Sequence, residues 1–151
     1  MKLLLRYGAD PNICYAGYSI PGKESVTEIG TSPLMNSIGC GIEKTKALVE
    51  AGADINYKTE TGETAAVVAL RWNEFPEYAY YLIVNKKAKV SESYYRRFNY
   101  GLNDPSETLL PVNILRDWLF DLDSKEYKIK MEIVEEFARQ GVDYVKLKYQ
   151  K

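Results

Sequence analysis

The sequence predicts an all-α fold that is built from a repeated unit, and two observations carry this prediction. The first is a block that occurs four times, in two clear copies and two degraded ones: LLRYGADPNI (4–13), LVEAGADINY (48–57), LIVNKKAKV (82–90) and VEEFARQGVDYV (134–145). The second is a shorter segment that precedes three of these blocks: SPLMNS (32–37), TAAVVA (64–69) and LPVNIL (110–115). Because repetition on this scale means that one supersecondary unit is built several times, we expect helices in pairs along the chain.

Start and stop signals place the individual helices. Ser32 and Thr64 are expected N-caps, because each hydroxyl can accept a free backbone N–H, and Pro33 follows at the first helical position, where its missing donor costs nothing. The glycines expected to close the second helices in a left-handed conformation are Gly8, Gly52 and Gly141. The predicted first helices are 33–39, 65–73 and 111–121, and the predicted second helices are 2–7, 43–51, 76–85 and 124–140.

These motifs resemble the ankyrin repeat, a unit in which a β-turn is followed by two antiparallel helices. The T-P-L-H-x-A signature of that family has a counterpart in SPLMNS, and its later G-A-D-x-N occurs at 52–56. Thr64 precedes Asn85 by 21 residues, and Gly52 precedes Asn85 by 33, the repeat period of the family. The resemblance implies an ankyrin-repeat solenoid of antiparallel helix pairs with β-turn fingers.

Departures from the regular spacing mark two insertions within this single domain. The link from Asn56 to Thr64 is eight residues, whereas Asn12 to Ser32 is 20, so the first finger carries an insertion. Further residues beyond the regular spacing follow residue 90, and they lengthen the last repeat. The predicted parts are a partial repeat (1–13), an inserted finger (14–30), two repeats (31–57 and 58–90), an insertion (91–107) and an extended C-terminal repeat (108–151).

Composition excludes several classes of function. The chain has 151 residues, a net charge of −1 and a pI of about 5.6, so we expect no general attraction to nucleic acid or to anionic membranes. It contains no histidine, which excludes Ser-His-Asp and Cys-His mechanisms and His-ligated zinc. Two cysteines and the absence of a signal-like apolar segment predict free thiols in the cytoplasm. We expect no enzyme activity, no cofactor, no metal and no small-molecule substrate.

One glycine-rich segment suggests phosphate binding but is better explained as a turn. Gly17 to Lys23 has the glycine and lysine spacing of a phosphate-binding loop. However, Glu24 stands where Ser or Thr should hold magnesium, and no apolar strand precedes the segment. Pro21-Gly22 is therefore interpreted as the tip of the inserted finger.

Two further groups are also interpreted as structural. Asp117, Asp121 and Asp123 could suggest a cation site, but their predicted context is helical and lacks the glycine-bearing loop that calcium needs. Cys40 has no neighbour in sequence that would make its thiol a nucleophile, so a structural thiol is expected.

The resemblance to ankyrin repeats implies a protein–protein interaction module, because partners of that family bind the finger tips and the exposed ends of the first helices. The positions implied in the most regular repeat are Lys58, Glu60, Thr61, Glu63, Arg71 and Trp72; in the repeat before it, Glu28, Ile29, Thr31, Gly39 and Cys40; in the last, Ser106, Glu107, Asp117 and Trp118. The inserted finger adds Tyr15, Tyr18 and Lys23. An immunity or inhibitor protein is the more specific form of this hypothesis. The alternative is a structural fragment of a larger ankyrin scaffold with little binding of its own.

The two tryptophans occupy equivalent positions in their repeats. Trp72 follows Thr64 by eight residues, and Trp118 follows Leu110 by eight. Exposed tryptophan is enriched in binding hot spots, so both are candidate partner contacts. The alternative is that each ring packs under a neighbouring insertion, such as the Tyr94-Tyr95 segment, and for Trp118, flanked by apolar residues, core packing is favoured.

Overall fold

The computed structural model describes residues 1–17, 29–95 and 108–145. In these residues the chain is mostly helical and carries one small antiparallel sheet. The helices are α1 (Lys2–Arg6), α2 (Pro33–Ser37), α3 (Ile42–Glu50), α4 (Ala65–Arg71), α5 (Pro76–Ala79, continued by a π-helical segment, Tyr80–Asn85), α6 (Pro111–Arg116) and α7 (Lys125–Arg139). The sheet consists of β1 (Tyr94–Tyr95) and β2 (Thr108–Leu109). The all-α class is therefore confirmed.

The helices contact one another in two rows. In the inner row α2 contacts α4 and α4 contacts α6, while in the outer row α1 contacts α3, α3 contacts α5 and α5 contacts α7. Each inner helix also packs against the outer helix that follows it in the chain. Small residues allow this close approach: Ala66 and Ala69 are fully buried, and the hydroxyls of Ser37 and Thr45 join α2 to α3 across 2.8 Å.

The predicted helix starts are confirmed. The Ser32 hydroxyl accepts a hydrogen bond from the Met35 amide at 3.2 Å, and the Thr64 hydroxyl accepts one from the Val67 amide at 3.3 Å. Pro33 occupies the first helical position, as expected. These caps fix where α2 and α4 begin, because each satisfies a backbone donor that would otherwise be left free.

The outer helices end in a shared motif. Gly8, Gly52 and Gly141 have positive φ, which confirms the predicted left-handed caps. The residue after each of these glycines donates its amide to a carbonyl five positions back: Ala9 to Leu4 (3.1 Å), Ala53 to Leu48 (3.0 Å) and Val142 to Phe137 (2.9 Å). This six-to-one closure satisfies carbonyls at the end of the helix.

The third outer helix ends at Asn85, as predicted, but it ends in a π-helical segment, and a glycine does not close it. The left-handed residue that follows is Lys87, with φ of 57°, which lies 35 residues after Gly52. The Ala88 amide reaches back six residues to the Leu82 carbonyl, at 2.9 Å, whereas the other three outer helices use five. The π-helical segment Tyr80–Asn85 supplies that additional residue.

The last inner helix is shorter than predicted. It ends at Arg116, so residues 117–123 form a loop instead of a final helical turn. The Arg116 guanidinium donates to the Tyr144 carbonyl at 2.8 Å, which ties the end of α6 to the chain beyond α7. Leaving the helix here turns Trp118 inward, where its indole donates to the Leu70 carbonyl at 2.8 Å.

The described part of the insertion at 91–107 ends in a strand that pairs with the start of the last repeat. Tyr94 pairs with Leu109 and Tyr95 with Thr108, so the two ends of the insertion lie side by side. No helix in the described residues combines the length and the apolar character that a membrane span requires.

Candidate interaction surface

The finger that precedes α4 is a tight turn with an internal hydrogen-bond network. The Thr59 amide donates to the Glu63 carbonyl at 3.0 Å, and the Gly62 amide donates to the Thr59 carbonyl at 2.9 Å. The Thr59 hydroxyl accepts from the Glu63 amide at 3.2 Å and lies 3.0 Å from the Thr61 hydroxyl. Glu60 is exposed at the tip. The backbone of this predicted binding element is therefore preorganised.

The second insertion covers one side of this finger, a feature that the sequence analysis missed. The Tyr95 amide donates to the Thr61 carbonyl at 2.7 Å, and Lys58 forms an ion pair with Glu92. Gly62 has φ of 80°, and a Cβ there would lie 3.1 Å from the Ser93 carbonyl oxygen. The two consecutive tyrosines, with their high β-propensity, were the only signal that this segment pairs as a strand.

Arg71 is held between the finger and the insertion. Its guanidinium forms an ion pair with Glu63 and lies over the Tyr94 ring, 5.3 Å from the centroid. Burial acts to lower the pKa of Arg71, but the hydrogen bond and the charge of Glu63 outweigh it, and the pKa lies above its usual value. Arg71 therefore stabilises this surface by joining the finger to the insertion, and its charge is already paired.

Trp72 lies at the end of α4 and is 43% exposed. Its six-membered ring packs on the backbone of Gly39, at the end of α2, where a Cβ would meet ring atoms at 3.0–3.2 Å. Phe75 lies beside it at 6.3 Å between centroids. One face of the indole is thus supported by the preceding unit, while much of the rest is open to solvent.

Trp118 is placed very differently from Trp72. It is 2% exposed, with its indole on the Leu70 carbonyl and its own carbonyl accepting from the Lys130 ammonium at 2.6 Å. Phe120 contacts the ring edge-on at 5.7 Å. The burial matches the core alternative, so Trp118 is not part of the exposed surface. Asp117, the position before it, is exposed.

Only the base of the inserted finger falls within the described residues. The Tyr15 amide donates to the Thr31 carbonyl at 2.9 Å, and the Gly30 amide donates to the Tyr15 carbonyl at 2.8 Å. Ile29 is exposed beside this closure. The remaining predicted positions lie outside the described residues: Tyr18, Lys23, Glu28, Ser106 and Glu107, with most of the glycine-lysine segment.

A groove of about 640 Å³ separates this finger base from the inner row. Both cysteines of the chain line it, together with Ile13, Pro33 and Asn36. The Cys40 thiol donates to the Asn36 carbonyl at 3.4 Å, and both thiols are free. Among the described residues there is no group of three or more acidic or thiol side chains that could hold a metal ion, and that includes the aspartates of residues 117–123.

A scan of the chain against protein-family models and a search of the curated proteins found no match.

Proposed function

We propose that this chain is an ankyrin-repeat module that binds a protein partner through the finger at 58–63 and the end of α4. The two rows of helices, with consecutive contacts inside each row, support a solenoid in which each unit touches its neighbours. A repeated hydrogen bond supports it further. The Asn12 side-chain oxygen accepts from the Asp54 amide at 2.7 Å, and that of Asn56 accepts from the Lys89 amide at 2.8 Å.

The observation that carries the proposal is the setting of Trp72. Tryptophan is enriched in binding hot spots, where a rigid aromatic anchor contributes most when a partner desolvates it. Here the ring is held on the Gly39 backbone, so little conformational entropy is lost when a partner covers its open face. Arg71 and Glu63, already paired, provide a fixed polar rim beside it.

The proposal involves no cofactor, no nucleic acid and no small-molecule substrate. Two free thiols, Cys14 and Cys40, fit a reducing compartment, and we propose that the module works in the cytoplasm. The more specific form, an immunity or inhibitor protein, requires the partner to be an enzyme or toxin whose activity falls on binding.

Affinity capture from the lysate of the native cell, read by mass spectrometry, tests the proposal. The Trp72→Ala chain is the test bait, and Met131→Ala, a substitution of an exposed apolar residue on α7, is the matched control. We expect one stoichiometric partner that is retained by the control and weakened at least tenfold by Trp72→Ala, as is typical of a hot-spot residue.

Two outcomes would contradict the proposal. A partner that binds the Trp72→Ala chain with unchanged affinity would remove Trp72 from the interface. Recovery of no partner at all would favour the scaffold alternative, in which the chain has little binding of its own.

A further inference from the structure

One edge of the molecule combines exposed apolar side chains with an excess of negative charge. It is formed by the loops that join inner to outer helices in two adjacent units, residues 72–77 and 117–123, and we call it the acidic edge. The two loops are neighbours, because the Trp118 indole in the loop 117–123 donates to the carbonyl of Leu70, which shortly precedes the loop 72–77. Leu119 is 88% exposed and Leu122 is 73% exposed in the second loop, and Trp72 and Phe75 are 43% and 42% exposed in the first.

The two loops carry five exposed carboxylates and contain no Lys or Arg of their own: Glu74, Glu77, Asp117, Asp121 and Asp123. Lys130 of α7 donates to the Trp118 carbonyl at 2.6 Å, and Lys125 follows the second loop, so negative charge remains in excess. The arginines that immediately precede the two loops are engaged elsewhere. Arg71 pairs with Glu63, and Arg116 donates to the carbonyls of Tyr144 and Asp143. Large exposed apolar side chains ringed by like charge are typical of a docking surface for a segment of opposite charge.

Helix α1 has the complementary composition. Lys2 and Arg6 are four residues apart and therefore share one face of the helix, and both are exposed. Leu3 and Leu4, exposed at 63% and 64%, and Tyr7 form the adjacent face. Residues 1–7 contain no acidic side chain, and α1 has no buried residue.

We propose that the acidic edge of one copy binds α1 of a second copy of this chain. Lys2 and Arg6 would lie against the carboxylates, and the leucines of α1 against Leu119, Leu122 and Trp72. This occupant is argued from charge, because the chain itself supplies both halves of a complementary pair.

The contact joins two different surfaces, so it is heterologous. Such contacts extend head to tail and form rings or open chains, rather than stopping at a two-fold dimer. The average mass should therefore keep rising with concentration. The proposal goes beyond the partner-binding function and does not depend on it, although self-association would cover Trp72 and compete with a partner.

Sedimentation from micromolar to millimolar concentration, at low and high salt, tests the inference, with circular dichroism to check that each variant is folded. We expect mass to rise with concentration, and the association constant to fall about tenfold or more at high salt, because screening weakens exposed charge pairs. Either Lys2→Glu with Arg6→Glu, or the combined reversal Glu74→Lys, Glu77→Lys, Asp117→Lys and Asp121→Lys, should leave the chain monomeric.

The decisive result is the rescue by mixing. The α1 variant and the acidic-edge variant, each monomeric alone, should associate when combined, because a negatively charged α1 then meets an edge in which lysines outnumber the one remaining carboxylate, Asp123. Glu132→Lys with Glu135→Lys, at exposed positions of α7, adds positive charge outside both surfaces and should leave association intact. Trp72 emission should shift to the blue on association, while buried Trp118 provides a constant background.

Three outcomes would overturn the inference. The first is a monomer at every concentration. The second is association that survives charge reversal on α1. The third is an equal loss in the Glu132 and Glu135 variant, which would mean that net charge alone controls association. In each case the test of partner capture at Trp72 still stands, because it uses a different ligand and a different readout.

Discussion

Trp72 and Trp118 occupy the same position in successive repeats, yet one is 43% exposed and the other 2%. Both rings lean toward the unit before their own: Trp72 rests on Gly39, and Trp118 donates to Leu70. The difference lies in what covers them. Lys130 of α7 donates to the backbone carbonyl of Trp118 and Phe120 packs edge-on against its ring, whereas the Trp72 ring, with Phe75 beside it, stays largely open to solvent. Equivalent positions in a repeat thus point toward the same neighbouring unit, and tertiary contacts decide whether the side chain is buried or exposed.

The largest expected effect is on stability, from truncation of the buried tryptophan. Trp118→Ala should lower the free energy of unfolding by about 3–5 kcal/mol, because it creates a large cavity and leaves the Leu70 carbonyl without its donor. Trp72→Ala should cost less than about 1 kcal/mol, since its ring is partly exposed. Chemical denaturation of both variants measures this difference. Equal losses would mean that the two sites are equivalent after all.

A smaller loss of stability is expected when the buried ion pair of α7 is removed; this is the helix whose Lys130 donates to the Trp118 carbonyl. Glu136 of α7 is buried and accepts from the Lys87 ammonium at 2.7 Å and from Arg139 at 3.1 Å. Glu136→Gln should cost about 1–2 kcal/mol at pH 7, because charge-assisted hydrogen bonds are lost while Lys87 stays charged.

The pH dependence of this stability loss tests whether the ionised carboxylate of Glu136 is its cause. The hydrogen bond from Lys87, helped by Arg139 and Gln140 and opposed by burial, lowers the pKa of Glu136. A lowered pKa adds stability that is present above the unfolded-state value and is lost as pH falls through the folded-state value. The advantage of the wild type over Glu136→Gln should therefore shrink below about pH 4. Thermal unfolding from pH 7 to pH 3 measures it, and a constant gap would exclude the ionised carboxylate as the cause.

The last prediction concerns the environment of Trp72, where the distinguishing effect is a small change in fluorescence. Gly39 has φ of 81°, and a Cβ there would press on the indole, so Gly39→Ala should cost about 1–2 kcal/mol and shift Trp72 emission to the red. Gly141→Ala is the matched control, because its φ is nearly the same, at 80°, but its Cβ would meet nothing within 4 Å. We expect a similar loss of stability without the spectral shift. An identical emission change in both variants would contradict the packing of Trp72 on Gly39.

Much of the helical framework could be predicted from local chemistry. Ser32, Thr64 and Pro33 act within one turn of the chain, and the closing glycines need only a left-handed conformation, so a sequence pattern suffices to find them. The bounds of the third outer helix, 76–85, were predicted correctly, but its π-helical end was not, because a π-helical turn has no sequence signature as clear as a glycine and Lys87 adopts the left-handed conformation beyond it.

The candidate surface was harder to predict because its burial depends on contacts between distant segments. Tyr95 reaches the finger at Thr61 across 34 positions, and Lys130 reaches Trp118 across 12. Neither contact is encoded in the repeat pattern. Periodicity placed both tryptophans at equivalent positions, but only tertiary packing distinguishes the exposed one from the buried one.

The π-helical turn at Tyr80–Asn85 has an evolutionary consequence. A residue inserted into an ordinary helix rotates everything beyond it by about 100° and would carry apolar side chains out of the core. Here the extra residue is confined to the wider turn: Tyr78 before it, Leu82 and Ile83 within it and Ala88 after it all remain buried. This outer helix can therefore gain or lose one residue by interconverting a π-turn and an α-turn, which makes helix interiors, as well as finger loops, places where such an array can change in length.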